Sequence, residues 1–173
     1  LNITVKSPYI LYVGSTHPHK NHESLVRALP EFPDEVNAVF VGPERSAHEE
    51  VVSLVESLGV VDQVSMPGFV SESELASLYD NATLYVHPSL YEGFGMPVLE
   101  AMSYDTPVAC GDIASLPEIG GEAVRYFDPS APGEIASICN EILQSENLQR
   151  QLADSGRDRA TMYSWTQAAE STL

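Results

Sequence analysis

Apolar runs that end in glycine alternate with amphipathic helical segments from the start of this chain, and that rhythm restricts its fold more than any other feature. YILYVG (Tyr9 to Gly14) and NAVFVG (Asn37 to Gly42) are continuous apolar runs, as expected of strands buried on both faces. Between them Leu25, Ala28, Leu29 and Phe32 keep helical spacing; after the second run Val51, Leu54, Val55 and Leu58 repeat it and close at Gly59, a helix C-terminal signal. QVSMPGF (Gln63 to Phe69) reads as a short third strand with its exit turn. SESELASLYDNA (Ser71 to Ala82) reads as a helix opened by an S-x-x-E capping box, with Leu75, Leu78 and Tyr79 inward. TLYVHP supplies a fourth strand, Pro107 to Cys110 a fifth and Ala123 to Phe127 a sixth. A helix from Pro97 to about Tyr104 and another striped by Ile135, Ile138, Cys139 and Ile142 intervene or follow, and final helices run through Leu148, Leu152 and Trp165 to Leu173. The expected fold is therefore α/β: a Rossmann-like parallel sheet of about six strands with helices on both faces. At 173 residues the chain has room for a single domain, residues 1–173, burying roughly 70% of its unfolded surface.

In such sheets ligands sit outside the carboxyl ends of the strands, and three turns fall on that edge: the Gly14 turn, the turn from Pro67 to Ser71, and the turn from Ser89 to Met96. The last of these opens EGFGMPVLE, Glu92 to Glu100. Gly93 and Gly95 let the backbone approach a ligand closely, and Pro97 suits the first helical position, where its missing N–H costs nothing. The free N–H groups of Phe94, Gly95 and Met96 would point at an anion, and the helix dipole would favour its charge. Glu92 and Glu100 are acceptor-only groups suited to sugar and ribose hydroxyls. Together they have the make-up of a nucleotide-sugar site.

The composition excludes several alternatives. Twenty-five acidic residues against 8 basic ones give a formal net charge of −17, which argues against nucleic acid as a partner. The acidity is dispersed over helix faces and turns rather than gathered in a tail, the pattern of a heavily solvated surface and of adaptation to high salt. At about 1 M salt the Debye length is only about 3 Å, so self-repulsion is tolerable there. No apolar run is long enough to span a bilayer, and LNITVKSPYI lacks the zones of a signal peptide. Cys110, in an expected buried strand, and Cys139, on an apolar helix stripe, read as core thiols and fit a reducing cytoplasm.

Five ordered blocks carry a family resemblance: YILYVGSTHPHKN (Tyr9 to Asn21), PGFVSESEL (Pro67 to Leu75), LYVHPSLYEGFGMPVLEAM (Leu84 to Met102), TPVACGDIASLPEI (Thr106 to Ile119) and YFDPSAP (Tyr126 to Pro132). With its E-x7-E after a V-x-P-S strand end, the chain resembles the retaining glycosyltransferases of the GT-B fold, family 4 in particular. The resemblance implies the C-terminal, donor-binding half of such an enzyme. The N-terminal domain that usually carries the carbohydrate or lipid-linked acceptor site, and any membrane association with it, is absent from this sequence. It implies a nucleotide-diphospho-sugar donor, retention of anomeric configuration, and no cofactor or metal.

By the same resemblance Lys20 contacts the donor diphosphate beside Gly14 and His19. Glu92 holds sugar hydroxyls, Glu100 the ribose, and the turn Gly93, Phe94, Gly95, Met96 the phosphates. The base is expected near Phe69, Val70 and Ser71, recognised through backbone groups. The chain departs from many relatives in having His19 and Ser15 where they carry arginines, which leaves Lys20, the glycine-turn N–H groups and a protonated His19 to neutralise a leaving diphosphate. His87, ending the fourth strand, is a secondary candidate that reads equally well as a satisfied core histidine. Asp112 and Glu118 read as an ordinary turn residue and a helix-start acid. His17, His19 and His22 invite a metal reading, against which stand the lack of a Cys or carboxylate at zinc-type spacing and the stiffness of Pro18. The alternatives to a glycosyltransferase half are an epimerase or phosphorylase half, or a non-catalytic nucleotide-binding module. An NAD-type module is disfavoured because GSTHPHKN has no glycine after Gly14.

Overall fold

The computed structural model describes residues 5–163; the expected helix around Trp165 and Leu173 lies outside them. Six parallel strands form one sheet in the order β3-β2-β1-β4-β5-β6. They are β1 (Tyr9–Val13), β2 (Asn37–Val41), β3 (Val64–Gly68), β4 (Leu84–His87), β5 (Val108–Gly111) and β6 (Arg125–Phe127). The α-helices are α1 (His22–Ala28), α2 (His48–Ser57), α3 (Glu72–Asp80), α4 (Met96–Ser103), α5 (Leu116–Gly120), α6 (Pro132–Leu143) and α7 (Glu146–Ala160). This is the expected doubly wound architecture. The chain builds outward from β1 to β3, crosses back, and builds outward again from β4 to β6.

Burial explains the strand assignment. Ile10, Leu11 and Tyr12 of β1 and Leu84, Tyr85 and Val86 of β4 are completely inaccessible, because these central strands carry helices on both faces. β3 is an edge strand and only half-buried along its length, and β6, the other edge, is shorter than the sequence suggests, starting at Arg125 instead of Ala123. Right-handed crossovers that run one way from β1 and the other way from β4 put their helices on opposite faces. α6 packs against α1, and α7 against α4. On α6 Ala136 joins Ile135, Cys139 and Ile142 in the core, whereas Ile138 is only half-buried. Leu58, read as part of the α2 stripe, is instead its half-exposed C-cap, followed by Gly59 at φ +71° as the helix stop requires. Cys110 and Cys139 are free and fully buried, and burial raises both thiol pKa values, so they are inert core groups.

At the carboxyl edge β1 and β2 leave the sheet in close contact. The Gly14 N–H donates to the Val41 carbonyl at 2.8 Å, and the Gly42 N–H donates to Gly68 at 2.9 Å. Gly42 has φ +146°, and a Cβ on it would overlap the Gly14 carbonyl. Glycine is therefore a requirement of both conformation and space at this position. Gly42→Ala should destabilise the fold by about 2 kcal/mol or more, from strain plus overpacking, read as a lower urea midpoint with an unchanged slope.

Candidate functional site

The strand order reverses between β1 and β4, the place where an open parallel sheet leaves a crevice for ligands. Lys20 follows β1 and Glu92 follows β4. The Lys20 Nζ lies 2.7 Å from Glu92 Oε2, with the two side chains only 19% and 15% exposed. Two residues 72 positions apart thus form one partly buried ion pair at the switch point.

The loop that carries Lys20 is built to hold it there. Pro18–Lys20 form a single 3-10 turn, and Asn21 adopts the left-handed conformation at φ 55°. The Asn21 Nδ2 group donates to the carbonyls of Pro88 at 2.9 Å and Pro129 at 2.7 Å, tying the β1 exit to those of β4 and β6. The Tyr12 hydroxyl donates to the Lys20 carbonyl at 2.8 Å, and the Leu90 N–H donates to the His19 carbonyl at 2.8 Å. None of these restraints is visible in the sequence. The one local signal for Asn21 is that asparagine tolerates positive φ better than most residues.

Glu92 is gripped from two sides. Besides Lys20, His87 Nε2 lies 3.0 Å from the same Oε2 atom, and His87 Nδ1 lies 2.9 Å from the Tyr85 hydroxyl. The hydrogen bond from His87 is the main cause that lowers the Glu92 pKa, with Lys20 adding to it against the opposing effect of burial; the carboxyl falls from 4.5 to about 2. His87 is fully buried, and burial lowers its pKa despite the neighbouring carboxylate, so the ring is neutral at pH 7. Glu92 Oε1 accepts no hydrogen bond from the described residues and remains available to a ligand.

The glycine turn has the form expected, with one shift: Gly95, at φ 92°, is the N-cap, so α4 begins at Met96 and Pro97 is its second residue. Gly93, Phe94, Gly95 and Met96 donate no backbone hydrogen bond to the described residues, as the first N–H groups of a helix do not. A Cβ on Gly95 would come within 2.6 Å of Leu116 Cδ2, so this turn too is restricted to glycine. Glu100 is the fifth residue of α4, beyond the first turn, so dipole complementarity does not account for it. Its Oε2 accepts from the Tyr79 hydroxyl at 3.0 Å, and Tyr79 in turn stacks on Tyr104.

Along the edge toward β3 the expected base site divides. Phe69 is 86% exposed after Gly68 at φ +73°, whereas Val70 is buried. The Ser71 side chain is occupied by the capping box of α3: its Oγ accepts from Glu74 N–H at 3.3 Å, and Glu74 Oε2 accepts from Ser71 N–H at 3.0 Å. Phe69 alone of the three presents a free side chain.

The three loop histidines do not converge. His17 and His19 stack on each other at 5.6 Å, while His22 turns inward against Tyr12 and Phe40. Burial, then His48 and Lys20, lowers the His22 pKa to about 4. Among the described residues no group of three or more His, Cys, Asp or Glu side chains is placed to hold a metal. A depression of about 1080 Å³ between α1 and α2 meets this site only at its rim; Glu23, Glu49 and Glu50 line it and would repel a diphosphate.

A family model for glycosyl transferases group 1 matches residues 1–159. The chain is 32% identical over 169 residues to the O-antigen chain mannosyltransferase B of Escherichia coli, covering 95% of this chain and 44% of that protein. It is 36% identical over 124 residues to the MMP alpha-(1->4)-mannosyltransferase of Mycolicibacterium hassiacum, covering 69% of this chain and 30% of that one. Among solved structures, the sucrose-phosphate synthase of Thermosynechococcus elongatus superposes with a TM-score of 0.89 at 29% identity, over 99% of this chain and 45% of the synthase. An Anabaena protein, Alr3699/HepE, solved in complex with UDP and glucose, has the same fold at a TM-score of 0.87 and 22% identity, over 97% of this chain and 49% of its own. The chain belongs to the group 1 glycosyl transferases and forms the C-terminal domain of a GT-B fold. It spans less than half the length of these relatives.

A carboxylate with a depressed folded-state pKa contributes stability that is present above its ordinary value of 4.5 and lost as pH falls toward about 2. The difference in urea midpoint between wild type and Glu92→Gln should therefore be constant above pH 5 or so and shrink through that acid window.

Proposed function

We propose that this chain is the donor-binding half of a retaining hexosyltransferase that takes a sugar from a nucleotide-diphospho-sugar and passes it to an acceptor held by a partner domain. The observation that carries this reading is the Lys20–Glu92 pair at the β1/β4 switch point, where a cation for phosphate and a free carboxylate oxygen for hydroxyls lie side by side. Lys20 and the N–H groups of the glycine turn stabilise the departing diphosphate; Glu92 orients the sugar through Oε1. Glu100 holds the ribose with its second oxygen, and the exposed Phe69 marks the base end of the edge.

Transfer with retention needs stabilisation of an oxocarbenium-like centre and of the leaving diphosphate, with a donor phosphate oxygen taking the acceptor proton; no protein nucleophile and no metal are required. Electrostatic preorganisation and positioning supply the rate. The mannosyltransferase relatives and the UDP and glucose bound in the Anabaena structure support a nucleotide-sugar donor and a hexose. The two buried free thiols suit a reducing cytoplasm. No helix among the described residues is long and apolar enough to cross a membrane.

A panel of GDP-, UDP- and ADP-sugars tested by thermal shift should pick out one base. Saturation at 100 times Kd would add about 2.7 kcal/mol of stability. Response to NAD alone, or to no nucleotide, would sink the reading. In the enzyme joined to its acceptor domain, Glu92→Gln should abolish transfer and leave nucleoside diphosphate binding largely intact; loss of both together would remove Glu92 from the sugar site. The net charge of −17 further suggests a protein adapted to high salt, for which refolding yield and stability should rise from dilute buffer to about 1 M salt. Full stability in dilute buffer would refute that part.

A further inference from the structure

Two groups hold the same oxygen of Glu92, and they differ in kind. Lys20 is a charge on a flexible stem, with three donors that can turn to any anion placed beside it. His87 is fully buried at the end of a central strand and has no surface that a substrate could reach. Its ring is fixed on both sides: Tyr85, two residues earlier and therefore on the same face of β4, stacks on it at 5.9 Å, and Tyr12 of β1 meets it edge-on at 5.7 Å.

The hydrogen bonds of the ring are also decided by its surroundings. Tyr85 is a neutral phenol, its pKa raised chiefly by burial, and it lies 2.9 Å from His87 Nδ1. A neutral imidazole donates from one nitrogen and accepts at the other. Glu92 can only accept, so its Oε2, 3.0 Å from Nε2, requires the ring proton on Nε2, and Nδ1 must accept from the Tyr85 hydroxyl. Every hydrogen in the chain Tyr85, His87, Glu92 then has one direction. The charged groups that face His87 are Glu92 and Lys20, and the phenols of Tyr12 and Tyr85 complete its surroundings.

We propose that His87 is the positioning residue of the donor-sugar site: held as the Nε2–H tautomer between Glu92 and Tyr85, it pins Glu92 Oε2 so that Oε1 stays presented to a sugar hydroxyl when Lys20 turns to the diphosphate. This rests on the reading of Glu92 as the sugar-binding carboxylate. A strand-borne donor fixes the rotation of the carboxylate better than a lysine stem does, and a neutral donor does so without cancelling the negative charge that attracts the hydroxyl. His87 therefore acts through Glu92 and touches neither sugar nor phosphate.

Calorimetry with UDP, UDP-glucose, GDP and GDP-mannose tests it through the ratio of the diphosphate Kd to the sugar-nucleotide Kd. His87→Leu should lower that ratio about tenfold, the loss of one hydrogen bond to a charged group, and leave diphosphate affinity nearly unchanged. His87→Gln, which keeps a donor, should recover part of the ratio. In wild type the ratio should be flat from about pH 8 to about pH 5, because Glu92 remains ionised throughout; in His87→Leu it should fall at the acid end as the carboxyl pKa returns toward its ordinary value. A merely structural histidine would weaken diphosphate and sugar nucleotide alike, with no change in the pH profile, and that result overturns the proposal.

A second measurement needs no ligand. Nitrogen NMR of the His87 ring in the wild-type protein should show the Nε2–H tautomer, and Tyr85→Phe, which removes one hydroxyl and keeps the packing, should leave the ring in that tautomer, because Glu92 Oε2 still needs the proton on Nε2. An Nδ1–H ring in wild type overturns the proposal whatever binds. If the wild-type protein binds none of these four nucleotides and no ADP or ADP-sugar while the ring is the Nε2–H tautomer, the donor-domain reading fails and the His87–Glu92 hydrogen bond stands.

Discussion

Everything at the carboxyl edge depends on β1 and β4 being neighbours. They are adjacent in the sheet and far apart in the chain, because the connection from β3 returns to the centre instead of adding another strand at the edge. That reversal brings the β1 exit, with Lys20, within 2.7 Å of the β4 exit, with Glu92. It also explains why the Asn21 side chain can bond to Pro88 and Pro129 at once: the exits of β1, β4 and β6 surround one crevice. If β1 paired with a different strand, the cation and the carboxylate would each be ordinary loop charges.

Partial burial then turns that juxtaposition into chemistry. An ion pair this shielded from water is stronger than an exposed one but leaves a costly unpaired charge if either member is removed. Seventeen excess negative charges lie elsewhere on the chain, so the region around Lys20 is an exception that local geometry has to maintain. The maintenance is done by uncharged groups: the Tyr12 hydroxyl on the Lys20 carbonyl, the Asn21 amide, and the His87 ring on Glu92. Such polar networks are stable in a core only when each member is satisfied, and here the Glu92 atom left without a partner among the described residues, Oε1, is an acceptor open to a ligand hydroxyl.

Much of the fold was legible because its signals are local. Glycine-ended apolar runs identified β1 and β2, the S-x-x-E capping box identified the start of α3, and Gly59 the end of α2. The errors were at boundaries and edges. α4 begins a residue earlier than Pro97 suggests because Gly95 takes the N-cap conformation, and β6 is short because an edge strand is paired on one side only. At the site, the E-x7-E spacing pointed to Glu92 and Glu100, and the block around Lys20 pointed to a phosphate-binding cation. Tyr85, Tyr79, Tyr12 and Asn21 carried no such signal. Tyr79, Tyr12 and Asn21 act through tertiary hydrogen bonds and Tyr85 through a ring two residues along its own strand, and a tyrosine in an apolar strand looks the same in sequence whether or not its hydroxyl has a task.

The sequence by itself therefore determined the elements, the parallel sheet and the residue types offered at its carboxyl edge, because strand burial, helix caps and glycine turns are set by neighbours within a few positions. The tertiary structure alone decided which of those residues work together. It joined Lys20 to Glu92, separated His22 from His17 and His19, committed the Ser71 side chain to a helix cap, and made His87, a buried histidine hydrogen-bonded at both ring nitrogens, a partner of Glu92. The reason is physical: ion pairing, burial and hydrogen-bond direction depend on distances across the switch point between β1 and β4, and those distances exist only once the sheet has closed.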